Sequence, residues 1–268
     1  MIDLHCHLLP GIDDGAKDLA TSLEMARMAV ADGIHKVYCT PHIYPGLYEN
    51  VGPDIVRRVA ALQQELERAQ IALQLSYGAD THLVPEVPDG LHSGRIPTLG
   101  GSRYALIEPA HTIRPPRFLE SVFDLIALGY VPIITHPERL TWVAEHYDDF
   151  LQLAHTGAWL QVTGGSLLGK FGKRPQLFAE RFVGDGWCAV LASDGHTTGR
   201  RAPLLAEAAE RAGRLAGSAE SRRMIATRPA AVCGNTPAHE VPLPPALTTG
   251  RKAIRGKIGN PIFGWFRR

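Results

Sequence analysis

Val131-Pro132-Ile133-Ile134-Thr135-His136 decides how the rest of the chain is read. Five residues run almost wholly apolar and then stop at an imidazole. A strand apolar on both faces belongs in a sheet covered on both sides, which is the habit of parallel sheets. Other runs have the same character. Residues 1–7, Lys36–Thr40, Ile71–Gly78, Tyr104–Ile107, Trp159–Val162 and Cys188–Ala192 read as strands. Helical patterns separate them. Leu19, Leu23, Ala26 and Val30 fall at helix spacing, with Gly33 as a stop signal. Residues 53–69 form a charged amphipathic helix, and Leu119, Val122, Phe123 and Ile126 mark another that ends at Gly129. Such alternation predicts an α/β domain of parallel strands with helical crossovers, closed or nearly closed into a barrel, over residues 1–235.

The strand ends share one chemistry. They read His5-Cys6-His7, Thr40-Pro41-His42, Gly78-Ala79-Asp80, Ile107-Glu108, Thr135-His136 and Ser193-Asp194-Gly195-His196. In a parallel barrel all strands end at one rim, where active sites form. Six ends thus deliver imidazoles and carboxylates to one place. Any one of them alone would be an ordinary turn residue or cap; six of one class are not. Alternation along a strand points His5 and His7 to the same side and Cys6 to the other. The same spacing joins Asp194 to His196. Asp13-Asp14-Gly15 offers a further carboxylate, or else caps the first helix.

Mixed histidine and carboxylate donors without thiolates suit Mn, Zn or Fe. Two ions about 3.5–4 Å apart can stabilise both oxygens of an in-line phosphoryl displacement. Arginine is the natural partner of the phosphate, because its fork donates in parallel. Arg139, in His-Pro-Glu-Arg, is the best placed; Arg200 and Arg201 follow His196, and Arg114 and Arg117 follow Glu108.

Several classes are excluded. No cysteine has an arginine six positions later (Ile12, Pro45, Asp194 and His239 stand there), so a thiolate phosphatase is ruled out. There is no Gly-x-x-x-x-Gly-Lys-Ser/Thr loop, and Gly164-Gly165-Ser166 reads as a strand-to-helix turn. A net charge of +1, from 28 basic and 27 acidic residues, gives no field toward nucleic acid. Four scattered cysteines, no leader pattern and no membrane-length apolar run lead to the expectation of a cytoplasmic enzyme. Residues 236–248 read as a Pro-containing linker. Residues 251–268 form a basic-aromatic tail, which is either frayed or in weak contact with an anionic membrane.

These motifs together resemble the PHP (polymerase and histidinol phosphatase) superfamily. Within it they resemble the metal-dependent tyrosine-protein phosphatases of bacterial capsule and exopolysaccharide operons. Met-Ile-Asp-Leu-His-Cys-His at 1–7, Arg-Ile-Pro-Thr-Leu at 95–99, Ser-Arg-Tyr-Ala-Leu-Ile-Glu at 102–108, His-Pro-Glu-Arg at 136–139 and Ala-Ser-Asp-Gly-His at 192–196 carry the likeness. The resemblance implies an irregular seven-stranded TIM-like barrel and a cluster of two or three divalent ions, Mn first, with Zn or Fe as alternatives. The implied ligands are His5, His7, Asp14, His42, Asp80, Glu108, His136, Asp194 and His196, with Glu108 bridging. Arg139 and Asp14 are the implied catalytic groups, and Arg139, Arg200 and Arg201 the implied phosphate contacts. The implied partner is a phosphotyrosine protein, a membrane-associated tyrosine autokinase. The family usually has Glu where this chain has Asp80, one methylene shorter, so that ligand is expected to shift or to bind through water. Phosphoesters of small metabolites, such as histidinol phosphate or a sugar phosphate, are the alternative substrates. A metal-binding regulator without turnover is the third reading.

Overall fold

The computed structural model describes residues 1–248. Among these residues, nine strands form two wholly parallel sheets. One contains β1 (Ile2–Cys6), β2 (Lys36–Cys39) and β4 (Gln74–Tyr77), in that order. The other runs β3 (His42–Ile43), β5 (Asp80–His82), β6 (Tyr104–Glu108), β7 (Val131–Thr135), β8 (Trp159–Thr163) and β9 (Val190–Ala192). β2 and β3 are one strand broken at Thr40-Pro41, since proline has no N–H to give a ladder. β4 and β5 are likewise one strand broken at Gly78-Ala79. The nine strands therefore make seven staves, the number the resemblance implied.

The seam between β9 and β1 closes the barrel. His7 N donates to Gly195 O (2.8 Å) and Asp194 N to His5 O (2.9 Å). Asp3 reinforces it by accepting from Ser193 N (3.0 Å) and from the Ser193 hydroxyl. Burial outweighs these bonds and raises the Asp3 carboxyl to about 6.

Two apolar clusters divide the interior from the outer layer. Leu4, Tyr38, Tyr104, Leu106, Ile133 and Trp159 fill the barrel. Cys6, Val37, Cys39, Ile107, Ile134 and Leu160 face outward under the helices. Cys6 is thus a packing residue. The pairing of β1 with β2 shifts register between Asp3 and Cys6. This irregularity changes the phase of the pleat, so Leu4 and His5, though adjacent, both face the barrel interior.

Helix α1 (Leu19–Ala31) starts at Asp18, whose side chain accepts from Thr21 N. The cap is therefore Asp18, not Asp13 or Asp14. Its buried face is Ser22, Met25, Ala26 and Ala29, whereas Leu19 is 39% exposed. Of the residues at helix spacing, Ala26 is buried and Leu23 and Val30 are partly buried against the core, so only Leu19 lies outside the packed face. Helix α2 (Gly52–Arg68) buries Ile55, Val59, Leu62 and Leu66 at regular spacing. Each such side chain contributes about 1.5–3 kcal/mol of transfer free energy. In the helix Phe118–Ala127 the buried residues are Phe118, Val122 and Leu125, and Phe123 is exposed.

Residues 236–248, read from composition as a linker, lie against the floor of the barrel. The Tyr104 hydroxyl donates to Thr236 O (2.7 Å), Ala246 N donates to Gly186 O (3.1 Å), and Val241 is buried in the inner cluster. The basic-aromatic stretch 251–268 lies outside the described residues. No helix among the described residues is long and apolar enough to cross a membrane.

Candidate metal centre

All nine side chains named from the strand ends and the Asp-Asp-Gly loop meet at the rim. His5, His7 and Asp80 form one group, and His7, Asp14, His42 and His196 a second. His42, Asp80 and Glu108 form a third, and Glu108 and His136, with His111, a fourth. Asp194 joins them, with Oδ1 at 3.5 Å from His5 Nε2 and 3.6 Å from His7 Nε2. His5, His7, Asp80, His136, Asp194 and His196 are almost wholly buried, while Asp14 is 44% exposed at the mouth.

Two residues that the strand-end reading did not assign fix the orientation of the first histidines. His5 Nδ1 lies 2.8 Å from Gln161 Oε1, and His7 Nδ1 lies 2.8 Å from Asp13 Oδ2. Both partners are acceptors, so the protons of the neutral rings sit on Nδ1 and both Nε2 atoms are bare. Those two nitrogens are only 3.1 Å apart. Two facing lone pairs at that distance are unfavourable, so the pair needs a positive charge, either a proton on the His5 ring or a metal ion beside both nitrogens. Asp13 is held in turn by Gly15 N (2.9 Å) and His42 N (3.1 Å). A Cβ on Gly15 would stand 2.3 Å from His7 O, so only glycine lets this loop reach the strand. The signal for Asp13 was present in Asp-Asp-Gly; Gln161, at an inward position of β8, had none.

Two site residues have left-handed backbones, His136 at φ 34° and Asp194 at φ 51°. Such conformations cost energy in a non-glycine residue and cluster at functional sites. Here each turns a side chain inward at the end of its strand. After His136 the turn Pro137–Arg139 is clamped by buried Glu138, which accepts from Thr163 N at 3.0 Å. Burial pushes the Glu138 carboxyl up to about 7.

The electrostatics are those of a site rich in anions. Burial opposes charge on Asp80, yet His5, His42 and His136 hold its carboxyl well below the usual range. Asp194 is held low in the same way, by Arg139, His5 and Arg201 against burial. Asp14 is held low against burial by His196 and His42. Conversely, although burial disfavours charge on His5, Asp80 and Asp194 raise its ring to about 9. His42 also rises to about 9 against burial, through Asp14, Asp80 and Glu108. Burial and then His196 lower His7 to about 3. Imidazolium protons are partly standing in for cations.

The donor set fits divalent ions. Asp80 is fully buried, and neither of its oxygens accepts a hydrogen bond. His42 Nδ1, His136 Nδ1 and His196 Nε2 also lack a hydrogen-bond partner. Buried polar atoms are rarely left so, and several together mark a place for a ligand.

The arginines separate into two kinds. Arg139 donates to Asp194 Oδ2, and Arg201 reaches the same oxygen at 3.0 Å and Asp14 at 3.8 Å. Arg139 also lies over the Phe171 ring at 4.5 Å. Arg200 is exposed and donates to Lys170 O. Arg114 pairs with Asp149 at 2.7 Å.

The family model for capsular polysaccharide synthesis, CpsB/CapC, matches residues 1–233. The chain belongs to this family. It is 40% identical over 204 residues to the tyrosine-protein phosphatase YwqE of Bacillus subtilis, covering 75% of this chain and 79% of that one. It is 30% identical over 207 residues to a putative tyrosine-protein phosphatase, CapC, of Staphylococcus aureus, covering 76% and 80%. Among solved structures it is similar to one from a study of YwqE and of CpsB from Streptococcus pneumoniae, described as unique metal-dependent tyrosine phosphatases. That match has 34% identity and a TM-score of 0.84 over 88% of this chain and 95% of the other. The CpsB/CapC match thus spans every residue of the rim cluster.

Proposed function

We propose that this chain is a metal-dependent tyrosine-protein phosphatase acting on phosphotyrosine of a polysaccharide-assembly protein, a membrane-associated tyrosine autokinase. The observation that carries the reading is two guanidinium groups meeting on Asp194 at the mouth of a cluster rich in metal donors. Membership of the CpsB/CapC family supplies the biological context.

His5, His7, Asp14, His42, Asp80, Glu108, His136, Asp194 and His196 would hold two or three divalent ions, manganese in the first place, with zinc or iron as alternatives. Bound there, such ions supply Lewis acidity toward phosphoryl oxygens and lower the pKa of water. The protein's own groups do the rest. Gln161 and Asp13 keep the Nε2 atoms of His5 and His7 turned inward. Arg139 and Arg201 receive phosphoryl oxygens and offset the charge that grows on them. Arg200, at the outer edge, offers a third guanidinium to the phosphoprotein. Asp14 remains an anion, so it orients the attacking water as an acceptor and does not protonate the leaving group. A tyrosine leaving group has a pKa of about 10, far below an alkyl alcohol, and needs little proton donation.

The test is metal analysis of the purified protein, followed by phosphate release from a phosphotyrosine peptide. Turnover should be lost on chelation and return with added manganese. The same assay on a phosphoserine peptide, histidinol phosphate and a sugar phosphate checks the substrate. Preference for a small ester would replace the protein substrate, and tight metal binding with no turnover on any of them would make the chain a regulator.

A further inference from the structure

His111 stands outside every motif of the sequence, yet its ring lies in the cluster. We infer that His111 is a metal ligand, completing the ion site at the Glu108–His136 pole; this rests on the metal-centre reading above.

The poles of the cluster differ in their donors. The pole at Asp14 has four protein donors, His7, Asp14, His42 and His196. The pole at His5 has His5, His7 and Asp80, with Asp194 nearby. At the Glu108–His136 pole Asp80 Oδ2 lies 4.0 Å from His136 Nε2, a separation that only donors on nearly opposite sides of one ion have, so His111 is the donor that stands adjacent to this pair. Open metal sites that work in catalysis commonly keep three protein ligands and one free position. His111 supplies the third.

The distances fit. Donors about 2.1 Å from one ion at tetrahedral or octahedral angles lie about 3–3.5 Å apart. His111 Nε2 is 3.1 Å from Glu108 Oε1, and His136 Nε2 is 3.5 Å from the same oxygen. The two rings are tilted by 46°, with centroids 5.0 Å apart.

The loop that carries His111 is anchored by its backbone, which leaves the imidazole free to ligate. His111 O accepts from Thr141 N (2.9 Å) and Thr141 Oγ1 (3.1 Å), and Ala110 O accepts from Trp142 Nε1 (2.9 Å). The His111 side chain is 36% exposed, so this ligand faces the side from which substrate arrives.

A hydrogen bond from His111 to Glu108 would give the same 3.1 Å contact, so the experiment must count bound imidazoles. Wild type, His111→Ala and His111→Gln are loaded with cobalt(II), and hyperfine-shifted imidazole proton resonances are counted by NMR. Metal content after dialysis is measured alongside. Both variants should show one bound imidazole fewer than wild type and retain less metal. An equal imidazole count in all three proteins, with metal content unchanged, overturns the inference, even if turnover falls. Metal-free thermal unfolding checks that the variants fold, and two substitutions guard against failure of one. Wild-type protein that takes up no cobalt would instead overturn the metal-centre reading itself.

Discussion

The two ends of the barrel treat buried polarity in opposite ways. At the floor, Arg228 is wholly buried, and its Nη1 meets Glu220 at 2.7 Å. The same nitrogen donates to Ala189 O at 3.1 Å, and Nε donates to Pro242 O at 2.7 Å. At the rim, Asp80 is equally buried and its oxygens accept no hydrogen bond. The floor pair is bonded mainly within the chain, although Arg228 Nη2 and Glu220 Oε1 lack a hydrogen-bond partner, whereas at the rim both Asp80 oxygens and several imidazole nitrogens are left so together. Buried charge with partners holds a fold together; buried charge without them holds a place for a ligand.

The sharpest way to break this comparison is at the floor. Arg228→Ala leaves Glu220 buried without its closest partner, a loss that typically costs about 3–5 kcal/mol. Denaturant unfolding should show that loss, while turnover per folded molecule stays near wild type. A drop in turnover equal to the rim variants, without loss of stability, would erase the division between the ends.

Next in size is Arg139→Ala at the rim. Metal content and stability should stay close to wild type, while kcat on a phosphotyrosine peptide falls by roughly 10²–10³, as for a lost transition-state donor. Arg139→Lys should rescue poorly, because an ammonium cannot donate as a fork. Near-normal kcat in both would shift the role to Arg201.

Asp3, at the seam between the ends, gives a pH test in the metal-free protein. Its folded carboxyl is raised to about 6, against an ordinary 3.8, chiefly by burial. The folded state thus holds the extra proton between those values. The stabilisation is present below pH 4 and is lost as pH rises through 6, on the order of 3 kcal/mol in all. Asp3→Asn should flatten that part of the stability curve. An unchanged slope between pH 4 and 7 would show that Asp3 is ionised throughout.

The smallest effect concerns the segment 236–248. Tyr104→Phe removes the bond to Thr236 O and should cost about 1 kcal/mol. Protease cleavage within residues 238–248 should become faster, with turnover unaffected. No change in either stability or cleavage would mean that the floor does not depend on this contact.

Fold class and the residues of the rim were legible in the order of amino acids alone. Strands apolar on both faces must be parallel and covered, and parallel strands send all their ends to one side. That rule is local and periodic, so six strand-end motifs could be added together without coordinates. It named nine rim residues and Arg139 because each sits at a strand end or in a motif beside one. Whatever depends on contacts distant in sequence is visible in the folded chain and nowhere earlier. The phase change in β1 that brings His5 inside beside Leu4 arises from pairing with β2. Gln161 meets His5 across 156 residues, and neither residue alone announces the other. Arg201 is separated from its neighbour Arg200 by one peptide bond, yet only the folded loop puts one on Asp194 and the other on Lys170. Spacing marked α1 as a helix, and packing against the sheet made Ser22, Met25, Ala26 and Ala29 its most buried positions. Periodicity records which residues avoid water; it does not record which partners they meet.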